Sequence, residues 1–285
     1  VTSPQVGDHV ILAWRAPCGE CRFCRSGQPN YCANSLNAEK RMRTHDGITL
    51  NPVLGIGTFC THTVVHAKQA IPIAHDLPSA QMSLIGCGVM TGVGAAIHTS
   101  SVRPGETVAV IGCGGVGLAA INGAAIAGAG RIIAIDTVAS KSNLAKEFGA
   151  TDFINAADTD AVKEVLEMTQ GGVHHAFEAI GLSKTAEQAF NMLRRGGTAN
   201  IIGMIPLGQN ITLMGAAFLG EKKLQGSMMG SNRFPVDMPR LVDMYMNGKL
   251  KLDEMISQRI KLEQVNEGFA DMKKGGLARS VIMFD

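Results

Sequence analysis

Residues 107–136 read TVAVIGCGGVGLAAINGAAIAGAGRIIAID. The stretch is almost wholly apolar and long enough to suggest a membrane span, but its glycines break it, and Pro104-Gly105 and Asp136 bound it. It divides instead into a buried strand over 108–111, a turn over 112–117, a small-residue helix over 118–127 and a second strand over 131–135. That is a βαβ unit. Gly112, Gly114 and Gly117 satisfy G-x-G-x-x-G, which allows a tight turn, close approach to a pyrophosphate and close packing of helix on strand. Gly115 and Val116 complete the turn, and the helix amino terminus faces the phosphates. Asp136 ends the second strand, where a carboxylate accepts hydrogen bonds from ribose hydroxyls and repels a 2′-phosphate, so the expected dinucleotide is NAD rather than NADP. The plainer role for Asp136 is to cap the turn over 137–140. Lys141 either reaches the same ribose or is solvated.

Downstream, helices over 141–148, 161–169 and 185–193 alternate with strands over 152–154, 174–178 and 198–202. The fold class is therefore α/β, with a doubly wound parallel sheet. His174 and His175 are neighbours on a strand, so their side chains point to opposite faces and form no chelating pair; they read as a strand-edge feature. In the tail, helices over 241–247 and 263–273 precede a closing strand.

Upstream, Cys18, Cys21, Cys24 and Cys32 form C-x-x-C-x-x-C-x7-C, the spacing of four thiolates around one tetrahedral zinc. A four-thiolate iron–sulfur cluster is the competing occupant. A disulfide between Cys18 and Cys21 would close a small, strained ring, and seven cysteines in 285 residues is far from the density of a disulfide-stapled secreted domain. A reducing, cytoplasmic setting fits better. With 26 Lys+Arg against 24 Asp+Glu, the chain carries +2, which gives no electrostatic footprint for nucleic acid. Its 46% hydrophobic content supplies a sizeable core, and no secretory leader is visible at the start. Strands over 53–59 and 63–65 read as a small β-rich domain, and residues 86–92 as a turn-rich lead into a helix. Cys87 alone is a core thiol or a metal ligand.

The cysteine quartet, residues 85–94 (IGCGVMTGVG), the glycine loop with Asp136, Gly171-Gly-Val and residues 177–181 (FEAIG) together resemble zinc-dependent medium-chain alcohol dehydrogenases over essentially the whole chain. The resemblance implies a Rossmann sheet beside a smaller GroES-like catalytic domain. It divides the chain into residues 1–88, with the structural zinc loop, residues 89–230, which bind the dinucleotide, and residues 231–285, which return to the catalytic domain. It also implies that Cys87 ligates a catalytic zinc, that Thr91 packs by the nicotinamide and Val116 backs it, and that Arg279 pairs with the pyrophosphate. Trp14, Val53 and Leu54 would form an apolar substrate wall.

The family's remaining catalytic ligands, a further cysteine and a Gly-His-Glu histidine, have no counterpart in the sequence. His9, His45, His62 and His66 lack that context, so the chain reads as amino-terminally truncated. The implied reaction is hydride transfer between an alcohol or aldehyde and NAD, in a homodimer or homotetramer, with no nucleic acid or membrane partner. A thiol-adduct substrate is the first alternative, with Arg41 and Arg43 at the cleft entrance, and a catalytically inert NAD-binding relative is the second.

Overall fold

Four buried apolar residues, Val108 to Ile111, follow Thr107 in a central strand, and in the computed structural model, which describes residues 1–38, 42–74 and 76–284, that strand is β3 (Thr107–Ile111). To one side lie β4 (Arg131–Asp136) and β5 (Asp152–Asn155); to the other lie β6 (Val173–Glu178), β7 (Leu193–Ile201) and β8 (Lys223–Gly226). All pair in parallel, in the order β5-β4-β3-β6-β7-β8. The order reverses direction between β3 and β6, and such a switch point opens a ligand crevice at the carboxyl ends of the strands. Helix α4 (Gly115–Ile126) follows β3, and α5 (Ser142–Glu147), α6 (Ala161–Met168) and α7 (Ser183–Asn191) supply the other crossovers.

A bidentate pair fastens one edge of this sheet. Arg131 donates to both carboxylate oxygens of Asp152 at 2.8 Å each, and its third nitrogen donates to the Met168 carbonyl at 2.6 Å. Hydrogen bonds from Arg131 hold the Asp152 carboxyl below the ordinary carboxylate range. A folded-state value depressed below the unfolded one, near 3.9, means that the pair stabilises the fold above about pH 4 and loses that contribution as pH falls through the lower value. Asp152→Asn should therefore cost about 1 kcal/mol at pH 7, discounted for partial exposure. Urea unfolding of the two proteins should give midpoints that converge as the pH falls below about 4; a gap undiminished in acid would remove the ion pair as its cause.

The longest helical run carries Cys87. It comprises α2 (Ser79–Leu84), a π-helical turn (Ile85–Val89), α3 (Met90–Gly94) and a second π-helical turn (Ala95–Thr99). Residues 86–92 are thus helical rather than turn-rich. Their glycines serve close packing: a Cβ on Gly92 would stand 2.3 Å from the Val116 carbonyl, and one on Gly123 of α4 would stand 2.7 Å from the Val93 Cα. The 21 residues from Ser79 to Thr99, and not the 107–135 stretch, are long and apolar enough to cross a bilayer; 78% of the most apolar window is buried within the fold, which makes it a core helix.

Ahead of this run, β1 (His9–Leu12) pairs antiparallel with β2 (Ala70–Ile73), and the short α1 (Arg22–Arg25) lies inside the cysteine loop. The strands expected over 53–59 and 63–65 do not form. Leu54, Gly55 and Gly57 all have left-handed φ, of 55°, 70° and 54°, which an extended strand does not tolerate. A 3-10 turn (Val53–Gly55) occupies the first stretch, and residues 63–65 join no ladder. In the tail, α8 (Phe234–Met246) packs on β2, and α9 (Val265–Lys273) separates the parallel pair β9 (Ile256–Ile260) and β10 (Arg279–Ile282). The histidine pair lies on central β6 rather than at an edge. His175 bridges Ser100 (2.9 Å) and Glu106 (2.8 Å), and His174 accepts from the Thr107 backbone N–H at 3.0 Å.

Candidate active site and zinc loop

Four sulfurs converge in the loop around α1. The Sγ separations are 3.6 Å for Cys21–Cys24 and Cys18–Cys32, and 3.9 Å for Cys18–Cys24 and Cys21–Cys32. Four thiolates each about 2.3 Å from one zinc stand about 3.8 Å apart, so the cage already has the dimensions of a tetrahedral site. Backbone N–H groups point into it, with Cys18 donating to Cys32 Sγ (3.3 Å) and Cys21 to Cys18 Sγ (3.4 Å). The Cys24 backbone hydrogen bond is the main influence drawing the Cys21 thiol down to about 6. These residues fit a structural zinc held as four thiolates. Among the described residues, no other group of three or more His, Cys, Asp or Glu side chains is close enough to share a metal.

The second site is the crevice over β3. Gly112 turns with φ +97°, and a Cβ on Gly117 would meet the Gly112 carbonyl at 1.7 Å, so the strand-to-helix turn closes only without side chains at these positions. Gly114 has open space before it. Asp136, buried at the end of β4, braces the same turn. Its Oδ2 accepts from the Cys113 N–H (2.7 Å) and from Lys141 Nζ (3.0 Å), and its Oδ1 accepts from the Val138 N–H (3.0 Å). Asp136 therefore both caps its own turn and presents a carboxylate beside the glycine loop, while Lys141 is paired with it rather than merely solvated. Burial pushes the Cys113 thiol up to about 12, which keeps it an inert neighbour.

Arg279 closes this crevice from the tail. Its guanidinium lies over two glycines: a Cβ on Gly88 would come 2.2 Å from Nη2, and one on Gly115 2.4 Å from Cζ. Its one described hydrogen bond is a 3.4 Å contact to the neighbouring Ala278 carbonyl. Burial pulls its pKa below the ordinary arginine value. A half-buried cation with most donors uncommitted, beside a helix amino terminus, fits a pyrophosphate.

Cys87 lies one residue before Gly88 and is exposed, on a cleft of about 470 Å3 lined also by His9, Leu12, Thr58, Met82 and Ser83. Among the described residues, Cys87 belongs to no group of three or more His, Cys, Asp or Glu side chains, so they do not complete a catalytic zinc site. Thr91 is buried, its hydroxyl 3.4 Å from the Met229 sulfur, and Val116 is half-buried where its carbonyl abuts Gly92. The expected apolar wall is not assembled around Cys87. Val53 and Leu54 are exposed and line no part of the cleft, where Ile56 and Thr58 stand instead, and Trp14 packs against the main core. The left-handed turn that replaces the expected strand accounts for that exposure. Arg43 is exposed, and Arg41 lies outside the described residues.

Sequence reasoning missed the contact of Arg279 with Gly88 and the role of Glu178, whose carboxylate gathers the turn after β6. The signal for Glu178 was available: an acidic residue directly after the apolar pair Ala176-Phe177 at the end of a central strand.

A doubly wound sheet with a glycine-turn nucleotide crevice, joined to a four-cysteine zinc loop, defines a zinc-binding dehydrogenase. The sequence profile described as zinc-binding dehydrogenase matches residues 115–245, and that of the alcohol dehydrogenase GroES-like domain matches residues 1–79. The chain is 38% identical over 292 residues to a probable S-(hydroxymethyl)glutathione dehydrogenase 1 of Schizosaccharomyces pombe, covering 99% of this chain and 77% of that protein. It superposes with a TM-score of 0.93, at 31% identity, on an alcohol dehydrogenase zinc-binding domain protein from Burkholderia ambifaria, covering 100% of this chain and 80% of that one. A benzyl alcohol dehydrogenase from Acinetobacter calcoaceticus gives 0.91 and 30%, with the same coverage. This chain belongs to the zinc-binding alcohol dehydrogenase family and is an enzyme, a zinc-dependent oxidoreductase.

Proposed function

We propose that the chain transfers hydride between a small alcohol or its aldehyde and NAD, with residues 89–230 binding the dinucleotide and residues 1–88 and 231–285 forming the catalytic unit. The observation that carries this reading is the place of Arg279 over Gly88 and Gly115, which brings the tail against both the glycine loop that Asp136 braces and the residue next to Cys87. Arg279 and the α4 amino terminus hold the pyrophosphate, while Gly114 leaves room for its approach. Asp136 takes the adenosine ribose hydroxyls, with Lys141 orienting its carboxylate. Thr91 and Val116 back the nicotinamide, whose ring accepts the hydride when the cofactor is bound. Cys87 contributes one thiolate toward a catalytic metal, and the substrate lies in the cleft beside it. The protein is cytoplasmic, and it assembles as a homodimer or homotetramer, to which β8 offers an open sheet edge.

A thiol adduct of formaldehyde is the second substrate reading, favoured by the name of the Schizosaccharomyces relative. NADH formation separates the two. Turnover of benzyl alcohol and other simple alcohols without added thiol supports the first reading, and turnover of formaldehyde only in the presence of glutathione supports the second. A purified protein that binds NAD and turns over neither would sink both.

A further inference from the structure

Glu178 ends β6, which lies against β3 at the centre of the sheet, and its side chain is fully buried. Its Oε1 accepts from the N–H groups of Ile180 (3.0 Å) and Gly181 (2.7 Å) and from the Thr185 hydroxyl (2.8 Å). Its Oε2 is buried and has no hydrogen-bond partner. Three donors on one oxygen form the surroundings of a carboxylate, and no basic side chain pairs with it among the described residues. Two chain segments depend on this group. The turn it gathers lays Ile180 on the glycine loop, where a Cβ on Gly112 would come 2.7 Å from Ile180 Cγ1. On the other side, the Ile202 and Gly203 N–H groups donate to the Glu178 carbonyl, and a Cβ on Gly203 would stand 2.5 Å from Oε2.

A buried carboxylate oxygen left unpaired costs stability, and an apolar side chain would pack a central strand end at less cost. The position of the charge supplies a reason for keeping it. With Asp136 on β4 taking the adenosine ribose and the pyrophosphate over β3 and α4, the dinucleotide must extend its nicotinamide half across β3 toward the ends of β6 and β7. That ring is positive when oxidised and neutral when reduced. We infer that Glu178 is a positioning residue of the dinucleotide site whose uncompensated charge favours the oxidised cofactor over the reduced one. The inference rests on the dinucleotide reading above.

Separate titrations of the intact protein with NAD+ and NADH, by calorimetry and by NADH fluorescence, test it. Glu178→Gln keeps an acceptor oxygen for the three donors but removes the charge. It should raise the ratio Kd(NAD+)/Kd(NADH) about three- to tenfold, the order of a single charge interaction in a partly hydrated site. Glu178→Asp keeps the charge and loses reach, so it should weaken both cofactors together and leave the ratio at the wild-type value. Should the Gln protein not fold, Thr185→Val removes one donor from the carboxylate and should lower the ratio about twofold. An unchanged ratio in a folded Glu178→Gln protein, or in Thr185→Val where Gln does not fold, overturns the inference alone, as does an equal shift in Glu178→Asp. Wild-type protein that binds neither cofactor overturns the dinucleotide reading itself.

Discussion

Cys32→Ser protein should lose its zinc, falling from about one ion per chain to a small fraction of one, with a melting temperature lower by at least about 5 °C. The argument is geometric before it is thermodynamic. Cys18 and Cys32 are buried while Cys21 and Cys24 are partly exposed, so the cage is pinned from its inner side. The Cys32 carbonyl also accepts from Arg15, and the Cys18 carbonyl accepts from Lys68 Nζ at 3.2 Å. Around these anchors the loop has little apolar burial of its own, since α1 contains no buried residue. Without the cation, four sulfurs separated by 3.6–3.9 Å have no mutual reason to stay together. Metal analysis of the purified protein gives the baseline. A second zinc per chain in the wild type would place another ion at Cys87, and a Cys32→Ser protein that keeps its first zinc would show that the quartet is not the site.

The second large effect belongs to Asp136. Asp136→Ala should reduce kcat/KM for NAD by about two orders of magnitude and raise it for NADP, so that the preference between them narrows or inverts. Two hydrogen bonds to a charged acceptor are each worth about 1.5–3 kcal/mol, and the like charge that opposes a 2′-phosphate disappears with the carboxylate. Lys141, released from its 3.0 Å pair with Asp136, becomes available to that phosphate. Because Asp136 also accepts from the Cys113 N–H, part of the loss reflects a looser glycine turn. Asp136→Asn retains that acceptor and separates the contributions: it should hold the turn while still admitting NADP more readily. Selectivity unchanged in both variants would mean that the ribose is read elsewhere.

The nucleotide-binding half was legible because its determinants are local. A strand, three glycines at fixed offsets and a strand-end acid lie within 30 consecutive residues. The cysteine quartet was legible for the same reason, its ligands spanning only residues 18–32. Residues 53–59 form no strand because Leu54, Gly55 and Gly57 all take left-handed φ values, and two glycines in seven residues were the local warning against an extended reading. Residues 86–92 were misread in the opposite sense. Glycines taken as turn signals lie inside a helix, where a Cβ on Gly86, Gly88 or Gly92 would come within 3.0 Å of Leu12, Arg279 or Val116 respectively. Such approaches come from distant segments, and no local pattern announces them. The place of Val53 and Leu54 on a cleft wall was implied by the family resemblance alone, and the left-handed turn at Leu54 and Gly55 leaves both side chains exposed instead.

Arg279 has a further consequence for how the molecule is assembled. It stands on β10 yet lies against Gly88 and Gly115, so the crevice joins positions more than 160 residues apart in the chain. Contacts of such separation form late in folding, because loop closure must precede them. A chain that has formed its sheet and filled its zinc loop can still lack the cation that seals the nucleotide pocket. Tight dinucleotide binding would then be a property acquired only in the final step, and a protein trapped just short of it would look folded by its helix content while remaining indifferent to its cofactor.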